Sequence, residues 1–360
     1  MEHFFCKTKI IAGAGAVAAL GNLHIQRPFL VCDPFFKNNG TAEAVIAATK
    51  CNESQIFFDV VPDPSVQLVA HGSAMVQKFK PDAMIALGGG SAIDCAKAMA
   101  FFSGCHVQQI AIPTTSGSGS EVTDFAILTH NGVKHPLVDS SIRPDIAILD
   151  GDLVATMPSA LVADGGFDLI SHALEAYVAT NSSTISDLLA TESMNIAMSH
   201  LQSSYDGNRS LRVNVHIAAT MAGIAFSNAG LGLCHAISHS LGGAFHIPHG
   251  RLNAILLPSV IDANASVCSH RYAQLARKIG LSSGSDLIAL RALKSALIRL
   301  RRNLKLPETL LQAGLSPTQI QEKMDALVTA ALSDPCCKTN PVKPNEAIIR
   351  QIITEVTGRG

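Results

Sequence analysis

The first 150 residues alternate short apolar runs with longer stretches of helical pattern. The runs at Lys9–Ala12, Phe29–Cys32, Gln55–Val60, Ala83–Leu87, Gln108–Ile112 and Ile146–Leu149 are predicted strands. The Ala- and Leu-rich segments Gly40–Lys50, Ser65–Phe79 and Ala92–Phe101 are predicted helices between them. Strand and helix in such alternation build a parallel sheet flanked by helices. After Asp150 the strand signals stop. Met157-Pro158 opens a helical region that runs to the C-terminus, with Ile217–Phe226 as its most apolar, buried part. Residues Asp286–Leu304 place apolar side chains at 287, 290, 293, 297 and 300, an amphipathic helix on which Arg299, Arg301 and Arg302 form a solvated face. The segment Ser333–Pro344, with three prolines and the adjacent Cys336 and Cys337, reads as a loop before a last helix, Asn345–Val356. The expected organisation is an α/β domain over residues 1–153 and an all-helical domain over 154–360, with the cleft between them as the default active site.

Composition narrows the partners. With 15% charged residues and a net charge of −1, nothing points to nucleic acid or to an anionic membrane. The run Ile217–Phe226 falls short of the ~20 apolar residues that a membrane helix needs. The N-terminus shows no basic stretch followed by an apolar core, so no secretory signal is expected; residues 1–8 run straight into the first strand and are expected to leave no room for a separate encapsulation helix. Nine cysteines, an odd number without CxxC spacing, imply free thiols in a reducing, cytoplasmic compartment.

Two loops follow strand ends where a parallel sheet binds nucleotides. Gly88-Gly89-Gly90-Ser91 leads into a helix whose N-terminus offers free N–H groups and the positive end of its dipole to a phosphate. The fingerprint is imperfect, since Ile93 stands where GxGxxG has its last glycine. The second loop, residues 113–121, carries hydroxyls at 114, 115, 116, 118 and 120, suited to ribose and phosphate. Asp33, ending an early strand, is placed to accept a hydrogen bond from a ribose 2′-hydroxyl and to repel a 2′-phosphate.

The helical half holds the denser chemistry. GLGLCHAISHSLGGAFHIPHG puts His235, His239, His246 and His249 into an otherwise apolar segment. Buried imidazoles are costly unless each finds a partner, and one metal ion can serve several. His235 and His239 share a helix face; Gly242-Gly243 and Pro248 are expected to break the helix and return His249 to the same point. Upstream, Asp168 and His172 form a second i, i+4 pair. Asp168, His172, His235 and His249 thus make a candidate oxygen/nitrogen site, with His239 and Glu175 as neighbours. HExxH is excluded because Ala236 follows His235. Cys234 should point to another helix face and pack.

The runs GGGSAIDCAKA, IPTTSGSGSEVT, DLISHALEAYV and GLGLCHAISHSLGGAFHIPHG resemble the iron-containing (group III) alcohol dehydrogenase family over essentially the whole chain. VPDPS, GVKHPL and KTNPVKPNEAI resemble more narrowly its microcompartment branches, the propanol dehydrogenases first and the ethanolamine-utilisation enzymes second. The resemblance implies Fe²⁺ (or Zn²⁺) on Asp168, His172, His235 and His249, with His239 in the catalytic pocket near the nicotinamide. It implies NAD contacts from Asp33, Gly89, Gly90, Ser91, Asp94, Thr114, Thr115, Ser118 and Lys134. Asp63 stands between two prolines where the family usually has Asn, and joins that set. Implied too are a short alcohol or aldehyde substrate, a homodimer, and a place inside a bacterial microcompartment with its shell or enzymes as partners. His239 then relays the alcohol proton, and no second acid in these motifs competes for that role. Rival readings are a dehydroquinate-synthase-like lyase, a glycerol-dehydrogenase-like polyol dehydrogenase, and a non-enzymatic metal- or nucleotide-binding protein of a compartment shell.

Overall fold

Successive side chains of a strand face opposite ways, and in the apolar runs of this chain neither face is polar. The computed structural model describes residues 2–130 and 133–358; Gly132 of the GVKHPL run lies outside the described residues. The strands are β1 (Lys9–Gly13), β2 (Pro28–Cys32), β3 (Gln55–Phe57), β4 (Ala83–Gly88), β5 (Gln108–Pro113), β6 (Phe125–His130), β7 (Val133–Val138) and β8 (Ile146–Asp150). All residues of β2, β4 and β8 are buried. Phe29, Val31, Met84 and Ala86 enter one core; Leu30, Cys32, Ile85 and Leu87 enter a second. Strands buried on both faces belong to a parallel sheet covered on both sides. The sheet is parallel throughout, in the order β1-β8-β5-β4-β2-β3. Its covering helices include α1 (Thr41–Thr49), α2 (Val66–Phe79) and α3 (Gly90–Ser103), and the short α4 (Gly151–Val154) follows β8.

Two local readings change. The strand expected over Gln55–Val60 ends at Phe57. The antiparallel pair β6–β7 was not expected. Its strands are partly exposed, and Pro136 within β7 argued against a strand, although a proline is tolerated where no partner awaits its missing N–H.

The described residues divide into two units, residues 6–157 and residues 158–358 together with 2–5. In the second unit, Phe5 N donates to Asn228 Oδ1 at 2.7 Å and Asn228 Nδ2 donates back to Phe5 O at 3.1 Å. This unit is helical: α5 (Ser159–Val178), α6 (Thr184–Tyr205), α7 (Arg212–Ala229), α8 (Leu233–Phe245), α9 (His249–Lys278), α10 (Asp286–Asn303), α11 (Pro317–Ser333) and α12 (Glu346–Thr357). Nearly every residue of α5 from Val162 onward is buried, so polar groups on it must be satisfied internally. By length and hydropathy α9 would pass for a membrane span, but 56% of that window is buried inside the protein, as in a core helix.

The solvated arginine face expected on α10 is also corrected. Arg299 and Arg302 are exposed, but Arg301 is buried. It donates to Ala254 O at 3.1 Å and to Glu308 at 3.1 Å, joining α10 to α9. Arg301→Ala leaves a buried carbonyl without its donor, which typically costs about 1–3 kcal/mol. Urea unfolding should show that loss, while Arg299→Ala should leave the transition where it is.

Candidate functional site

Helix α5 carries Asp164, Asp168, His172 and Glu175 at spacings of three and four, one face of the helix. Helix α8 brings His235 and His239, and α9 starts at His249. The break between α8 and α9 lies later than the glycines suggested. Gly242 and Gly243 stay helical, at a cost of only about 1 kcal/mol each that packing absorbs. The reversal is made by His246, left-handed at φ 55°, and by Pro248, which precedes the first residue of α9. Close approach then does the positioning. A Cβ on Gly250 would lie 1.8 Å from the Asp164 carbonyl oxygen, so only glycine lets the first turn of α9 press against α5. That contact sets His249 beside Asp168.

His249 Nδ1 lies 2.7 Å from Asp168 Oδ1. Asn253, one turn further along α9 and fully buried, donates through Nδ2 to Asp168 Oδ1 at 2.9 Å and stands 3.4 Å from His235 Nε2. Its Oδ1 accepts from the Ser238 hydroxyl. Glu175 accepts the backbone amides of Gly232 at 3.0 Å and Cys234 at 2.7 Å, capping α8, and lies 2.6 Å from His235 Nδ1. That contact holds the His235 proton on Nδ1 and leaves Nε2 as the lone-pair nitrogen. Cys234 packs as expected, buried with its Sγ 3.7 Å from Asn253 O.

One ligand atom from each of Asp168, His235 and His249 lies within 4.8 Å of the others. His172, the fourth expected member, stacks between Phe226 and His235, its ring centroid 4.4 Å from each and 6.5 Å from His249. It adjoins the cluster but stands outside the converging trio. Burial raises the Asp168 carboxyl, yet His249 and His172 outweigh it and hold the group below the usual carboxylate range. Burial likewise drives His235 well below the ordinary imidazole value. It lifts Glu175 to about 7 against the backbone amides of Cys234, Gly232 and His235. The decisive observation is His249 Nε2, a buried nitrogen without a hydrogen-bond partner among the described residues. A carboxylate and two imidazoles, one of them with an unpartnered buried nitrogen, fit a divalent transition metal.

His239 lies beside this cluster, its ring centroid 5.0 Å from that of His249 and 6.1 Å from that of His235. Its Nδ1 is 2.8 Å from Asp334 Oδ2. Asp334 thus attends His239 from outside the motifs, where no second acid competes for the proton relay. Sequence reading missed Asp334 because it sits 95 positions away in a loop, where Asp-Pro signals only a turn. Asn253 was legible in principle: it is i+4 from His249, on the same face.

In the α/β unit the ends of β2, β4 and β5 lie side by side, with Cys32 opposite Leu87 and Gly88 opposite Pro113. Asp33 N donates to Leu87 O, and Thr114 N to Gly88 O, each at 2.9 Å. Gly88, at φ 154°, lies so close to Asp33 that an added Cβ would be 3.0 Å from the Asp33 Cβ. Added Cβ atoms on Gly89 and Gly90 would each lie 3.1 Å from a hydroxyl, of Thr115 and Ser118 respectively. The glycines thus ease the close approach of one loop to the other, and the two loops gather Asp33, Gly89, Gly90, Ser91, Thr114, Thr115 and Ser118. Asp33 also caps the short 3-10 helix Pro34–Lys37, accepting from Phe35 N at 2.9 Å.

The other three expected contacts are engaged within the protein. Asp94 is buried and accepts from Ser120 and from Ile127 N. Lys97, also buried, donates to Ser120, Thr123 and the Phe125 carbonyl, tying the hydroxyl loop and β6 to α3. Burial pushes the Lys97 ammonium down to about 8. Asp63 and Lys134 pair with each other at 2.6 Å.

This sheet with its loops, followed by a helical unit that holds a histidine–carboxylate cluster, has the parts of a nucleotide-binding, metal-dependent enzyme, and the comparisons specify the class. Residues 7–151 match the model of the family "Iron-containing alcohol dehydrogenase", and residues 162–357 match "Fe-containing alcohol dehydrogenase family, C-terminal". The chain is 36% identical to the 1-propanol dehydrogenase PduQ of Salmonella typhimurium, over 99% of this chain and 100% of that one. It is also 36% identical to the NADPH-dependent butanol dehydrogenase of Clostridium saccharobutylicum, over 98% and 97%. The iron-containing alcohol dehydrogenase structure from Thermococcus thioreducens superimposes with a TM-score of 0.91 at 32% identity, over 99% of both chains. The chain belongs to the iron-containing alcohol dehydrogenase family, and it is an alcohol dehydrogenase.

Gly250→Ala, which adds one methyl group and removes no ligand atom, is expected to separate α9 from α5 and to yield protein lacking the metal found in the wild type. His235→Ala and His249→Ala should do the same. Metal analysis of anaerobically purified variants decides; full metal content in Gly250→Ala would refute the packing argument.

Proposed function

We propose that this enzyme interconverts short primary alcohols and their aldehydes with NAD(H), in the direction of aldehyde reduction. Asp168, His172, His235 and His249 would hold one Fe²⁺ or Zn²⁺; the ligand set alone does not choose between them. The observation that carries this reading is the convergence of one ligand atom each from Asp168, His235 and His249 within 4.8 Å, supported by the unpartnered buried Nε2 of His249. A divalent ion there supplies Lewis acidity toward a substrate oxygen. The protein does the rest. Glu175 and Asn253 fix the His235 and Asp168 donors in place. Asp334 orients His239 through Nδ1, which leaves Nε2 to take or return the alcohol proton.

Asp33 supports NAD(H) over NADP(H). A carboxylate and a 2′-phosphate 4 Å apart repel by about 4 kcal/mol at an effective dielectric of 20, less with solvent screening. One 36%-identical relative is NADPH-dependent, so family membership alone does not decide the cofactor. Asp63 and Lys134 are proposed to reach the cofactor as a pair and Asp94 to act from behind the loop. The names of the relatives, 1-propanol and butanol dehydrogenases, support an unbranched short-chain substrate. A lyase of the dehydroquinate-synthase kind needs free cations in the pocket. The arginine of the metal stretches, Arg251, instead donates through Nε and Nη2 to Asp164, at 3.2 and 2.9 Å. A cytoplasmic homodimer enclosed in a bacterial microcompartment is the setting this reading carries, resting on resemblance.

The reading is tested anaerobically with metal-loaded enzyme, propanal, and NADH or NADPH. NADH oxidation should dominate, and Asp33→Gly should narrow the preference; equal catalytic efficiency of the wild type with both cofactors sinks the assignment. His239→Ala should keep its metal and its NADH affinity while turnover falls by roughly 10²–10⁴. Should it emerge from purification without metal, His239 is a ligand and the roles must be redrawn.

A further inference from the structure

A second group of metal-capable atoms lies in the helical unit, outside the proposed centre. His239, Asp334 and Cys336 each place one ligand atom within 4.8 Å of the others. Asp334 organises all three. It caps the 3-10 helix Pro335–Thr339, where its Oδ1 accepts the Cys336 amide at 2.8 Å, and its Oδ2 lies 2.8 Å from His239 Nδ1. Cys337 turns away, its Sγ 3.0 Å from the Ala331 carbonyl oxygen. The arrangement repeats that of the first cluster, where His249 Nδ1 and Asp168 Oδ1 are 2.7 Å apart. In both, an imidazole nitrogen faces a carboxylate at hydrogen-bond distance, and at His239 a cation on Nδ1 would displace the proton between them.

The difference is sulfur. The first cluster offers oxygen and nitrogen only, whereas the second adds a thiol, and soft sulfur ligands select thiophilic ions. Each group also brings its own carboxylate, Asp168 or Asp334, so a second cation would arrive with its own countercharge.

We propose that His239, Asp334 and Cys336 form a second divalent-metal site for a thiophilic ion of the Zn²⁺ or Cd²⁺ kind, and that its occupancy inhibits the enzyme. On binding, the Cys336 thiol releases its proton to solvent, Nδ1 of His239 gives its lone pair to the ion, and the remaining ring proton sits on Nε2. A ring protonated there no longer accepts the alcohol proton. The inhibition rests on the proton-carrying role proposed for His239; the site itself does not.

The test is a titration of metal-free protein with Cd²⁺, which gives an ultraviolet thiolate-to-cadmium band only where sulfur binds. Wild type should bind two equivalents and show the band. Cys336→Ser should bind one equivalent without the band, and Cys337→Ser should behave as wild type. His239→Ala should likewise keep only the first equivalent, which covers the case of a Cys336 variant that does not fold. A single equivalent without the band in wild type overturns the site, as does a band that survives in Cys336→Ser. In the activity arm, excess Zn²⁺ should inhibit wild type and inhibit Cys336→Ser much less. A second equivalent with the band but no inhibition upholds the site and overturns its link to His239.

Discussion

Buried carboxylates on one helix, Asp168 and Glu175 foremost, constrain the helical unit. Asp168 and Glu175 lie in α5, among residues nearly all withdrawn from solvent, where an unpartnered charge is heavily penalised. Each therefore needs donors from elsewhere. Glu175 takes the free amides at the start of α8 together with the Nδ1 side of His235. Asp168 takes Asn253 and His249 from the first turns of α9. The register of three helices is thereby tied to polar contacts, and the same contacts aim the imidazole nitrogens.

The cost of this arrangement appears in the shifted acid–base properties of its members. Burial alone would neutralise Asp168, but the histidines beside it keep it ionised; Glu175, held by neutral amides, is lifted to about 7. Such opposed shifts within one cluster mark a site that apolar packing would not produce. The backbone narrows it further. Gly250 permits a contact no larger residue allows, just as Gly89 and Gly90 permit the approach of Thr115 and Ser118 in the α/β unit. In both units glycine serves close approach, a role distinct from making turns.

Charged groups in both units are engaged within the protein. Arg301 bridges α10 to α9, Asp94 and Lys97 lock the hydroxyl loop against α3, and Arg251 is consumed by Asp164. A charge on an amphipathic helix or in a first turn reads as solvated because its partner lies far away in sequence. The deciding contact for Lys97 is a backbone carbonyl 28 residues on, and for Arg301 one 47 residues back.

The chain's linear pattern determined the order of elements, the change from α/β to helical structure after Asp150, the glycine and hydroxyl loops, and the pairing of Asp168 with His172 and of His235 with His239. Those features are local, since period, turn chemistry and i, i+4 spacing are properties of neighbouring residues. Only the tertiary structure decided the β6–β7 pair, whose partly exposed strands and Pro136 give a weak local signal. It also decided that His172 stacks at the edge of the trio, that the α8–α9 reversal lies at His246 rather than at the glycines, and that Asp334 and Cys336 stand beside His239. Spacing along a helix says which residues share a face. What that face meets depends on how distant segments pack, and no local pattern encodes a contact spanning 95 residues.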